Sequence, residues 1–69
     1  MTNGFTPQED AEDLAVLLRG TRTMQGVSAA ELAHRTGVRT EDVLEFEAAR
    51  VIPAREPFAV YMRALGFEA

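Results

Sequence analysis

The chain has 69 residues, 46% hydrophobic and 26% charged, with no cysteine and a formal charge of -4. That fits one small globular domain and excludes a disulfide scaffold or a thiolate metal centre. No apolar run is longer than that from Leu14 to Leu18, too short for a membrane span or an export signal, so a cytoplasmic protein is expected. The sequence pI near 4.8 argues against a general nucleic-acid binder, which ordinarily carries a basic surplus.

Residues 1-5 read as a flexible tail, with Asn3-Gly4 as a turn signal. Thr6-Pro7-Gln8-Glu9 then starts a first helix: Thr6 caps, Pro7 suits the first helical position and Glu9 completes a capping box. Asp10, Glu12 and Asp13 sit where the helix dipole favours acids. Leu14, Leu17, Leu18 and Thr21 keep helical spacing to about Thr23, and Gly26 ends the element. Ser28 with Glu31 forms a second capping box, and Val27 is placed to staple onto Leu32. This second helix, Ala29 to Thr36, stops at Gly37. A third runs from Thr40 to Ala48 with Val43 and Phe46 on its buried side and Val38 packing where it begins. A loop with Pro53 leads to a fourth helix opened by Pro57, where Phe58, Tyr61, Met62 and Leu65 fall at i, i+3, i+4 and i+7. Gly66 terminates it, with Phe67 folding back on Met62. Nothing alternates long enough for a strand. An all-α, four-helix domain over residues 6-69 is expected.

Two short helices around a glycine turn are the helix-turn-helix pattern. Gly26-Val27-Ser28, Glu31-Leu32-Ala33, Gly37-Val38, Val43, Phe46-Glu47, Pro53 and Ala64-Leu65-Gly66 together resemble the Cro/repressor-like (XRE) helix-turn-helix family over about residues 14-66. The resemblance implies a compact lambda-repressor-like fold. It also implies a structural ion pair between Arg22, late in the first helix, and Glu47, late in the third. In members that read DNA the outward side of the third helix enters the major groove. Here that side carries Thr40, Glu41, Leu44, Glu45 and Ala48.

Three positions depart from the family pattern. Ala29 stands where the family has a phosphate-contacting glutamine, and Arg39 where it favours a small capping hydroxyl, so Thr40 is expected to cap. Ala49 replaces a glycine, at about 1 kcal/mol for a left-handed backbone. The family often adds a dimer-supporting fifth helix after the position of Gly66. This chain ends at Ala69, so its oligomeric state is open, and an apolar patch near Phe58, Tyr61 and Phe67 is expected to seek a partner.

Charge is unevenly spread. Residues 1-18 sum to -4, residues 19-39 to +3, residues 40-49 to -4 and residues 50-69 to +1. All seven basic residues are arginine. Arg35 and Arg39 flank the turn and Arg50 and Arg55 follow the third helix, where they could clamp phosphates on either side of it. Solvated surface charges, some paired with Glu41, Asp42 or Glu56, are the plainer reading of the same arginines. Two acids on a groove-facing surface repel phosphates, although one carboxylate can accept from a cytosine amino group. Leu44 suits a thymine methyl or the centre of a protein-binding patch.

Catalysis finds no constellation. His34 and Ser28 are the single histidine and serine, and Ser28 is explained as a cap. No enzyme activity, cofactor, metal or small-molecule substrate is expected. Double-stranded DNA is the expected partner, with homodimerisation or a protein partner as further possibilities. The alternative is a helix-turn-helix fold used as a protein-interaction or DNA-mimicking module.

Overall fold

Four helices in chain order, α1 (Pro7–Met24), α2 (Ala29–Thr36), α3 (Thr40–Glu47) and α4 (Arg55–Ala64), build the computed structural model, which describes residues 6–68. The tail expected at residues 1-5 lies outside the described residues, as does residue 69. α1 packs on α3 and α4, and α2 packs on the same two helices.

Local chemistry explains where the helices start and stop. The Thr6 hydroxyl accepts from the Glu9 amide at 3.1 Å while Glu9 accepts from the Thr6 amide at 2.9 Å. This reciprocal box satisfies two of the free N–H groups at the start of α1. At the far end, the Gly26 and Val27 amides donate back to Thr23 and Arg22. That reversal needs a left-handed residue, and Gly26 takes it at φ 70°. α2 is capped by Ser28, which accepts from the Glu31 amide at 2.9 Å. The second half of that expected box does not form, because the Glu31 carboxylate is held instead by Arg35 one turn on, at 3.0 Å.

The cap of α3 also differs from expectation. Arg39, not Thr40, occupies the N-cap position. A guanidinium has no acceptor to offer the free amides. Asp42 reaches back instead and accepts from the Arg39 amide at 2.9 Å. The helix ends one residue before Ala48, through the same double reversal as α1: the Ala49 and Arg50 amides donate to Phe46 and Glu45. Ala49 holds the left-handed position at φ 61°, where its Cβ crowds the following carbonyl. The Ile52–Pro53 peptide in the next loop is cis. α4 starts two residues earlier than expected, at Arg55. Pro57 is then its third residue, tolerated because amides in the first turn have no intrahelical partner to lose.

The core forms where the four apolar faces meet. Leu18, Leu32 and Val43 are fully buried and Phe46 nearly so, each worth about 1.5–3 kcal/mol of burial. Phe46 is central: the Tyr61 ring meets it edge-on at 5.3 Å and the Phe58 ring stacks at 6.4 Å. Tyr61 is therefore a core residue and not part of an exposed patch. On α1 the buried stripe is Ala11, Ala15 and Leu18, whereas Leu17 is 54% exposed. Small alanines let neighbouring helices come close, and the larger leucine is rotated outward. Val38, expected to pack, is likewise exposed. No described helix is long and apolar enough to cross a membrane.

Candidate nucleic-acid interface

The outward side of α3 follows from what its other side buries. Val43 and Phe46 fix one face in the core, so Glu41, Leu44, Glu45 and Ala48 fall on the exposed stripe, with Thr40 half-buried at its start. Leu44 is 50% exposed between the two glutamates. This stripe holds all five side chains expected to face a groove.

The C-terminal end of the stripe is anchored from behind. Arg22 donates from Nε and Nη2 to the two Glu47 oxygens at 2.7 and 2.8 Å, and from Nη1 to the Val27 carbonyl at 2.9 Å. The two side chains retain only 12% and 6% of their accessibility. Such a fork-to-fork pair fixes both distance and orientation. It ties α3 to α1 and, through Val27, to the turn before α2. The hydrogen bond from Arg22 to Glu47 also raises the guanidinium pKa. The two side chains that the family resemblance paired are thus in contact.

The four arginines expected on phosphates behave differently from one another. Arg39 and Arg50 stand just before and just after α3. Arg39 folds onto Asp42 through Nη2 at 3.2 Å and Arg50 reaches Glu45 at 3.5 Å. Arg35 is drawn toward α4, donating to the Ala64 carbonyl at 3.3 Å as well as to Glu31. Arg55 binds Asp10 of α1 at 3.0 Å, and the pair lines a mostly apolar depression with Asp13, Leu14, Leu17 and Phe58. Only Arg39 and Arg50 therefore flank α3, and all four are engaged with a carboxylate.

These pairings show in the proton affinities. Hydrogen bonding to Asp42 raises the Arg39 guanidinium, and hydrogen bonding to Asp10 raises that of Arg55. Asp42 is pulled below its ordinary value of 3.8, chiefly by accepting the Arg39 backbone amide and then its side chain. Tyr61 moves up because burial penalises its charged form.

Arg19 was not among the expected contacts. It is exposed on α1 and lines a shallow depression with Leu44 and Ala48, against the edge of the Arg22–Glu47 pair. Its position three residues before Arg22, one helical turn along the same face, was the signal available in the sequence. His34 is exposed. Among the described residues no three His, Cys, Asp or Glu side chains gather as a metal-holding group.

No protein-family model matches the chain, and comparison with curated proteins and with solved structures gives no match either.

Proposed function

We propose that the chain is a small DNA-binding transcriptional regulator in which α2 and α3 act as a helix-turn-helix of the XRE type. What supports this reading is the single stripe of α3, Glu41, Leu44, Glu45 and Ala48, left uncovered while the helix is buried behind and locked at its end by Arg22 and Glu47. In this reading the stripe faces bases, with Leu44 against a thymine methyl and a glutamate accepting from a cytosine amino group. Arg39 and Arg50, at the two ends of α3, hold phosphates once these displace Asp42 and Glu45. Arg35 and Arg55 contribute less, since each is turned toward another helix. One domain with this charge binds weakly, so a dimer or a partner domain completes the complex. Selection from a random duplex pool at about 50 mM salt tests the proposal. An enriched sequence supports it, and a pool retained no better than by an inert protein contradicts it.

A second reading draws on the same stripe. Leu44 between Glu41 and Glu45, with the flanking arginines already committed to carboxylates, resembles an apolar protein-contact centre with an acidic rim. On that reading the module binds a protein, by direct contact or by imitating nucleic-acid charge. It predicts that Leu44→Ala or Glu45→Ala abolishes capture of a protein partner in a chain that never binds duplex.

A further inference from the structure

Five of the seven arginines make an ion pair: Arg22, Arg35, Arg39, Arg50 and Arg55. Among the described residues, the guanidinium groups of Arg19 and Arg63 make neither an ion pair nor a side-chain hydrogen bond. Their surroundings separate them. Arg63 borders depressions on α4, one of which also holds Glu68. Arg19 borders the depression formed with Leu44 and Ala48, the far end of the exposed α3 stripe. The nearby Glu47 does not cancel it, because Arg22 occupies both Glu47 oxygens and the pair is neutral as a unit.

We infer that Arg19 is the primary phosphate contact of the duplex that α3 engages. The inference rests on the DNA-binding reading above and assigns a residue which that reading did not include. The physical ground is competition. Arg39 and Arg50 must exchange a carboxylate for a phosphate, so their gain on binding is a difference between two similar bonds. Arg19 exchanges only water, and its planar fork suits two phosphate oxygens. A backbone strand bordering α3 in a groove therefore runs along the α1 side at this depression, where, among the described residues, the one uncommitted cation next to the stripe stands.

The test is a salt titration of duplex affinity, using the sequence enriched from a random pool, for wild type, Arg19→Ala, Arg19→Lys and Arg63→Ala. Arg19 is exposed, so its variants should fold, and unchanged melting curves will verify this. Expected is a loss on the order of tenfold at 50 mM salt for Arg19→Ala, and a slope of log affinity against log salt shallower by about 0.9. Arg19→Lys should keep the wild-type slope, and so should Arg63→Ala, which removes the same charge elsewhere. Equal effects of Arg19→Ala and Arg63→Ala, or none from either, would overturn the assignment while leaving DNA binding intact. Absence of duplex binding by wild type would overturn both.

Discussion

At the C-terminal end of α3, Glu47 gives both oxygens to Arg22 and keeps only 6% of its side-chain accessibility. At the N-terminal end, Asp42 takes the Arg39 guanidinium with 40% of its own side chain and 77% of the arginine's exposed. The chemistry is the same arginine on a carboxylate, and the solvent makes the difference. In water the attraction is screened and the partners exchange readily with other ions. Largely shielded from water, neither charge has another ion to pair with, and the Val27 carbonyl holds the third guanidinium contact, so the pair becomes a fixed joint. One end of α3 is thus locked to the body of the domain, and the other is held by an exposed pair that exchanges with ions in solution.

The largest effect should come from breaking the locked end. Glu47→Ala strips the largely covered Arg22 guanidinium of its carboxylate and leaves it only the Val27 carbonyl, at about 3–5 kcal/mol. A domain of this size has a total stability of about 3–10 kcal/mol, so the variant should be unfolded or close to it by circular dichroism at 25 °C. Replacing both partners with Met at Arg22 and Leu at Glu47 should restore much of the loss, because no charge is then stranded. A melting temperature for Glu47→Ala within a few degrees of wild type would place this pair in the same class as Arg39–Asp42.

The next effect is a gain at the same end. Ala49 sits at φ 61°, a conformation that glycine adopts without crowding. Ala49→Gly should stabilise the domain by about 1 kcal/mol, raising its melting temperature by roughly 4–8 °C. Part of the relief is offset because Ala49 also packs against the core. A lower melting temperature would mean that this packing outweighs the strain.

The exposed end should respond weakly, and through pH. Asp42 has a folded value below its ordinary 3.8. Its charged form therefore stabilises the fold fully above that value, and the contribution is lost as pH falls through the depressed one. Asp42→Asn should melt near wild type at pH 7 and show a flatter loss of stability below about pH 4. A large drop at pH 7 would show that Asp42 is as essential as Glu47.

The sequence exposes features set by near neighbours more readily than those set by the packed chain. The Thr6 and Ser28 caps and the Gly26 and Gly66 reversals each depend on residues within a few positions, and each follows from local hydrogen-bonding rules, whereas the left-handed Ala49 is expected only from the glycine the resembled family has there. The buried Val43 and Phe46 follow from helical period. Leu17 and Ala15 both fit a helical stripe, and only the closeness of the neighbouring helices selects the alanine for the core. Tyr61 looks like a patch residue until Phe46 is beneath it. The partners of the arginines are set furthest from local sequence: Arg55 finds Asp10 from 45 positions away, and Arg35 takes Glu31 from the cap it was expected to complete. Arg19 gains its interest only from what the others do. Which charges are cancelled is a property of the packed molecule, and the sum over a segment does not disclose it.

On the proposed reading α3 presents its outward stripe to bases, and base preference reads that contact most directly. Glu45 lies mid-stripe, and its one ion pair is the long 3.5 Å contact with Arg50, so Glu45→Gln should fold normally. In parallel selections from the same random duplex pool, Glu45→Gln should change the preferred base at one position and leave the rest of the enriched sequence as in wild type. An identical preference for both proteins, or no enrichment for either, would contradict it.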